Sequence, residues 1–108
     1  MKALKSVTCA SKRYSVKYHP NTSGGQFHTK TKEIHIGTKC SKQDMLETLL
    51  HEIAEVILVE RNIRYAQEKG VTENGDYMFV MNHDSFEMFI KDLTLAVQEI
   101  LIKEDRDK

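Results

Sequence analysis

The chain of 108 residues is long enough for one domain and too short for two. With 40% hydrophobic and 30% charged residues, its composition is typical of globular proteins. Its 16 basic and 16 acidic residues leave no net charge, which argues against a nucleic-acid-binding protein because phosphate charge calls for a basic excess. Two cysteines are too few for a disulfide scaffold, so free thiols are expected.

The charge is unevenly distributed along the chain. Glu33 is the only acidic residue among the first 42, which are rich in lysine and arginine. A weak attraction of this half to an anionic surface therefore stays open. The N-terminus has no apolar core long enough for a signal peptide, and no stretch is long enough to span a membrane. We expect a cytoplasmic protein without membrane contact.

Strand signals dominate the first 40 residues. Residues 14–18 alternate in polarity and contain β-forming side chains, which predicts a strand. Residues 19–25 combine turn residues with the only proline and predict a loop. Two further strands are predicted at residues 26–29 and 33–36, joined by a polar turn. The last of these strands is expected at an edge of the sheet, where it could align an extended peptide.

A long helix is predicted at residues 42–61. Ser41 is a suitable N-cap, with Asp44 three residues later as a near capping box. Apolar residues then recur at helical spacing, which predicts one broad buried face. They are Met45, Leu46, Leu49, Leu50, Ile53 and Ile57.

The helical pattern breaks over residues 62–81. Residues 73–76 contain Asn-Gly, the strongest short signal for a hairpin, and residues 77–81 would form its return strand. A second helix is expected to begin near Asn82 or Asp84, either of which can cap it. Its apolar stripe consists of Phe86, Phe89, Ile90, Leu93, Val97, Ile100 and Leu101.

Together these elements predict an α+β fold, in which a small sheet with hairpins is covered by two amphipathic helices. The chain should form a single domain over residues 1–108, with a charged tail at 103–108 that frays. The side chains expected where the helices meet the sheet are Leu49, Ile53, Phe86 and Ile90.

The first helix carries a motif with metal-ligand spacing, His51-Glu-Ile-Ala-Glu55. Side chains four residues apart lie on the same helical face, so His51 and Glu55 can bind one ion. Glu52 is rotated by about 100° from His51 and can lie beside the ion without binding it. Zinc peptidases use this geometry in HExxH, where a carboxylate between two ligands acts as general base.

A third ligand is expected downstream, because Glu55 replaces the second histidine of that motif. Catalytic zinc is also held by two histidines and one glutamate, with water in the fourth position. His83 is the best candidate, since it shares the predicted inner face of the second helix. Glu87 and His35 are the next candidates. A purely structural interpretation also stays open, in which His51 and Glu55 form an exposed pair and His83 caps or packs its helix.

The sequence resembles small zinc metallopeptidases of phages and prophages, which are relatives of the HExxH proteins. The resembling segments are EIHI at residues 33–36, LLHEIAE at 49–55 and HDSF at 83–86, within a region of similarity from 24 to 101. The resemblance implies a minimal zincin-like fold, one zinc or other divalent ion, and a peptide or protein substrate. The site residues that it implies are the metal ligands His51, Glu55 and His83 and the general base Glu52.

The chain departs from the family pattern at Glu55. A carboxylate ligand donates more negative charge than an imidazole, which raises the pKa of metal-bound water and weakens it as a source of nucleophile. The expected function is a zinc-dependent metallopeptidase. The alternatives are a non-catalytic metal-binding regulatory module of phage origin and a metal-free interaction domain.

Overall fold

The computed structural model describes residues 4–66, 77–79 and 81–106. The elements in chain order are β1 (Ser6–Cys9), β2 (Lys12–His19), β3 (Gly25–His28), β4 (Glu33–Gly37), α1 (Lys42–Glu60), β5 (Arg64–Ala66), β6 (Tyr77–Phe79) and α2 (His83–Arg106). A four-stranded mixed sheet and two long helices confirm the predicted α+β fold.

The main sheet has the strand order β1-β2-β4-β3. β1 pairs with β2 and β3 with β4 in antiparallel fashion, whereas β2 and β4 run parallel. After β2 the chain leaves a gap in the sheet and forms β3 first, and β4 then fills the gap between β2 and β3. β3 therefore lies at the edge of the sheet, and β4 is an interior strand. The prediction that residues 33–36 form an edge strand is therefore wrong.

The alternation of side chains places the core on one face of this sheet. Ile34 and Ile36 on β4 are fully buried, whereas His35 between them faces the opposite side. α1 lies over β3 and β4 and contributes Ile53 and Val56, which are also fully buried. The face of the sheet turned away from α1 carries the polar half of each strand.

Both ends of α1 have local causes. Ser41 has extended backbone angles and its Oγ accepts the Asp44 N–H at 3.1 Å, as predicted. At the other end Asn62 has a φ of 58°, which a helix cannot continue through. These two residues fix the length of the helix.

Glu60, the last residue of α1, ties the helix to the sheet. Its carboxylate accepts hydrogen bonds from the Tyr14 hydroxyl and the Lys32 ammonium, both at 3.0 Å. Although burial acts to raise its pKa, the bonds from Lys32 and Tyr14 hold the pKa of Glu60 below its ordinary value. The carboxylate is therefore charged at neutral pH, even at a helix C-terminus, where the helix dipole disfavours negative charge.

α2 begins with a cap from Asn82, whose Oδ1 accepts the Ser85 N–H at 2.8 Å; this confirms the first of the two predicted caps. The helix reaches the core in its second half. Ala96 is fully buried and Ile100 nearly so, with Phe89 and Leu93 packed beside them.

The predicted burial of Phe86 and Ile90 is wrong, since their exposed fractions are 48% and 42%. Arg61, just after α1, donates two hydrogen bonds to Asp92, at 2.8 and 3.1 Å. Because α2 meets the end of α1 at Asp92, its first turns extend past α1 and leave these side chains in solvent. The predictions for Leu49 and Ile53 are confirmed, because both are buried.

Smaller differences concern the second half of the chain. β5 and β6 pair in antiparallel fashion, while the predicted turn at 73–76 lies outside the described residues. Of the strand predicted at 77–81, the structure describes Tyr77–Phe79, and residue 80 lies outside the described residues. α2 continues to Arg106, so the segment 103–106, predicted to fray, is helical. Among the described residues, no helix combines the length and apolar character needed to cross a membrane.

Cys9 and Cys40 are free thiols, as expected. Cys9 is fully buried under α2, and Cys40 is exposed. Burial, together with the nearby carboxylates of Glu99 and Glu60, raises the pKa of the Cys9 thiol to about 12.

Replacing Ile53 by alanine should lower the free energy of unfolding by about 2–5 kcal/mol, because it leaves a cavity beneath α1. Phe86→Ala removes a half-exposed side chain and should cost clearly less. Urea unfolding followed by circular dichroism measures both changes. Equal losses would contradict the packing of α2 described above.

The protein should lose stability as the pH rises from 9 toward 12. In the folded chain Cys9 keeps its proton up to a pH of about 12, whereas the unfolded thiol loses it near 9.0. Unfolding therefore releases a proton in this window. The free energy of unfolding falls by at most about 1.4 kcal/mol for each pH unit as a result. Urea unfolding in alkaline buffers should give a shallower pH dependence for Cys9→Ala than for the matched variant Cys40→Ala. The same slope in both variants would show that Cys9 is not responsible.

Candidate metal centre

The packing of α1 decides which of its side chains face outward. Leu49, Ile53 and Val56 are buried against the sheet. His51 and Glu55 therefore lie on the opposite side of the helix, one turn apart. The His51 side chain is 66% exposed and that of Glu55 is 21% exposed. The two ligands predicted for one ion thus share an accessible face.

The sequence motif is brought together as a compact group of His51, Glu52 and Glu55, called here the His51 group. His51 Nε2 lies 2.9 Å from a Glu55 carboxylate oxygen and 3.9 Å from a Glu52 oxygen. One ligand atom from each residue lies within 4.8 Å of the others. The group can therefore hold a metal ion.

The distances fit the chelation of a small divalent ion. Zinc binds nitrogen and oxygen at about 2.0–2.2 Å, so two such ligands on one ion lie about 2.8–3.5 Å apart. The 2.9 Å between His51 and Glu55 falls in this range. The Glu52 oxygen, at 3.9 Å from His51 Nε2, falls outside this range.

Glu52 differs from its neighbours because it is the buried charged residue of α1, at 6% exposure. It lies against β3 where that strand begins. A Cβ added to Gly25 would lie 3.0 Å from Glu52 Cγ and 2.8 Å from Thr48 Cγ2. The absence of a side chain at Gly25 is what allows α1 to approach β3 this closely.

The structure does not bring His83 to the His51 group. The prediction that His83 lies on the inner face of α2 is wrong, because its side chain is 79% exposed and lies 3.4 Å from Glu87. Ser85, two residues later, lines a cleft with residues 60–63. His51 lies nine residues before Glu60, the first of these cleft residues, which corresponds to about 13 Å along the axis of α1. His83 as the third ligand therefore stays a prediction that requires α2 to move.

A second acidic and histidine group lies at the start of α2. It consists of His83, Asp84 and Glu87, all exposed, with ligand atoms within 4.8 Å of one another. Among the described residues this group and the His51 group are the two with such spacing. In the part of the chain that the structure describes, the buried charged side chain is Glu52, and it belongs to the His51 group.

Sequence reasoning missed the contact between Gly25 and α1. A glycine at the start of a strand is a known sign of close backbone approach, so the signal was present in the Gly24-Gly25 pair. What that glycine approaches depends on tertiary packing. Thr48 and Glu52 could not have been assigned to it from the sequence.

Comparisons with protein-family models, with curated proteins and with solved structures found no match to this chain. The case for a function therefore rests on the geometry of the His51 group and on the motif that forms it.

Gly25→Ala should destabilise the protein by about 1–3 kcal/mol, because the new methyl group forces Thr48 and Glu52 away from β3. Alanine is otherwise favoured over glycine inside a strand, so a loss of stability would indicate the close contact at Gly25. Thr48→Ser removes Cγ2, the nearest atom, and the double variant should recover part of the loss. Urea unfolding of the single and double variants tests this. Additive effects of the two substitutions would contradict the contact.

Proposed function

We propose that the chain is a zinc-dependent metallopeptidase whose ion is held by His51 and Glu55. The observation that supports this most directly is the 2.9 Å spacing of His51 Nε2 and the Glu55 carboxylate on an exposed helical face, next to the buried carboxylate of Glu52. An ordinary surface ion pair needs no third, buried carboxylate at its side. A hydrolytic metal site needs one as general base.

A zinc ion bound there would polarise the substrate carbonyl and lower the pKa of the attacking water. Glu52 would accept the proton of that water and pass it to the amine nitrogen of the leaving peptide. Packing against β3 holds the Glu52 side chain in one orientation, so little reorganisation is needed.

The edge strand β3 supports a peptide as substrate. Within the described part of the chain, β3 pairs with β4 on one side and with no strand on the other. An extended peptide can add to such an edge through main-chain hydrogen bonds. Since Gly25 lies directly against Glu52, a peptide paired with β3 would run past the base. We therefore propose β3, in place of residues 33–36, as the strand that aligns the peptide.

His83 remains the third ligand that the family resemblance implies. In the described arrangement α1 supplies His51 and Glu55, and water would occupy the other positions of the ion. If His83 binds, the first turns of α2 move toward α1. Zinc loss in His83→Ala would support this movement, whereas zinc retention would assign those positions to water.

A non-catalytic metal-binding module is the second candidate function. The observation that favours it is Glu55 itself, because a carboxylate ligand makes the ion a weaker Lewis acid than a second histidine would. Both functions need His51 and Glu55. They differ in what they require of Glu52.

The decisive variants are His51→Ala and Glu52→Gln. His51→Ala should lower the zinc content by one ion per chain, measured by elemental analysis after purification without chelator. Glu52→Gln should keep zinc and fold but lose about 10²–10⁴-fold of the hydrolysis rate, since an amide cannot accept the proton. Glu47→Gln, at an exposed position five residues earlier on α1, is the matched control and should change neither quantity.

The assay uses an unfolded protein as substrate and separates the two functions. Hydrolysis that disappears in Glu52→Gln supports the peptidase. Zinc binding that depends on His51, without hydrolysis in the wild type, supports the non-catalytic module. Zinc content that is unchanged in His51→Ala overturns both.

A further inference from the structure

Three histidines lie together on the face of the sheet turned away from α1. They come from neighbouring strands, His19 from β2, His35 from β4 and His28 from β3. The rings of His19 and His35 stack with centroids 5.0 Å apart, and His28 meets His35 edge-on at 5.2 Å. The mechanism proposed above uses none of them.

Two nitrogen atoms in this cluster point at each other. His19 Nε2 lies 2.8 Å from His35 Nδ1, and the other ring nitrogen of His35 lies 3.2 Å from a Glu33 carboxylate oxygen. The Glu33 carboxylate can only accept, so His35 donates its Nε2–H to Glu33 and its Nδ1 accepts the Nε2–H of His19.

This arrangement is the one that metal-binding histidines use. A ligating imidazole commonly donates its second N–H to a carboxylate, which fixes the tautomer and makes the ring more basic. Two nitrogens that bind one ion at about 2.0–2.1 Å lie about 2.9–3.4 Å apart. The nitrogens of His19 and His35 are 2.8 Å apart and joined by a hydrogen bond, so binding an ion replaces that bond and requires both rings to turn until their lone pairs meet at the ion.

We propose that His19 and His35 form a second divalent transition-metal site, with Glu33 as the carboxylate that orients His35. Imidazole pairs suit zinc, nickel and copper, and water would complete the coordination. To bind the ion, His19 gives up the Nε2 proton that it donates to His35 and carries its proton on Nδ1 instead, so the ring stays neutral. The site is separated from the His51 group by the sheet and does not depend on the proposed peptidase activity.

His28 is not a ligand in this site, in spite of its short distance to the His35 ring. In the strand register His28 lies opposite Glu33, whereas His19 lies beside Gly37, four residues further along β4. His19 and His28 therefore approach His35 from opposite ends and cannot bind the same ion. This makes His28 a matched control with the same chemistry and the same strand environment.

The experiment uses the full chain with His51→Ala and His83→Ala, which removes the histidine from both groups described above. Zn²⁺ titrated into this background variant by calorimetry should bind at one ion per chain. Adding His19→Asn or His35→Asn should abolish that binding. Glu33→Gln should weaken it by about 10–100-fold, the usual effect of losing the carboxylate that orients a ligand. His28→Asn should leave it unchanged.

Circular dichroism of each variant establishes that the chain is folded before the titration. Absence of zinc binding in the background variant would overturn the proposal. So would equal weakening by His28→Asn and His19→Asn, which would indicate unspecific binding to surface imidazoles. Because the background lacks His51, neither result bears on the peptidase site.

Discussion

The contact between α1 and β3 at Gly25 is the constraint on which the candidate site depends. The helix can roll on the sheet only until Thr48 and Glu52 meet the backbone of β3, and Gly25 sets how close that is. With Ile53 and Val56 held in the core on the adjacent face, the rotation of α1 is determined. His51 and Glu55 must then lie on the side of α1 turned away from the sheet, and Glu52 between them must be buried.

The parts of the fold that could be predicted from the sequence are those with local causes. The α1 boundaries follow from the Ser41 cap and from a helical apolar period, and the ligand spacing follows from the pitch of the helix. The β3–β4 hairpin was predictable from two short strands around a polar turn. These features need no knowledge of what packs on them.

The predictions that are wrong depended on long-range placement. An amphipathic stripe predicts that α2 has an inner face, but not how far along the helix its partner extends. The pairing of Arg61 with Asp92 sets that limit and leaves Phe86 in solvent. Likewise, strand signals do not reveal that the chain crosses over to place β3, rather than β4, at the edge. The same limitation applies to His83, whose distance from α1 is a tertiary property.

A crystal structure of protein grown with zinc, with anomalous scattering measured at the zinc edge, tests the central claim most directly. The proposed site predicts an ion within about 2.0–2.2 Å of both His51 Nε2 and a Glu55 carboxylate oxygen. It also predicts that Glu52 lies beside the ion with a water in reach. An anomalous peak at other positions only, with His51 and Glu55 still paired at 2.9 Å, would contradict the metal centre and leave this motif an ordinary helical ion pair.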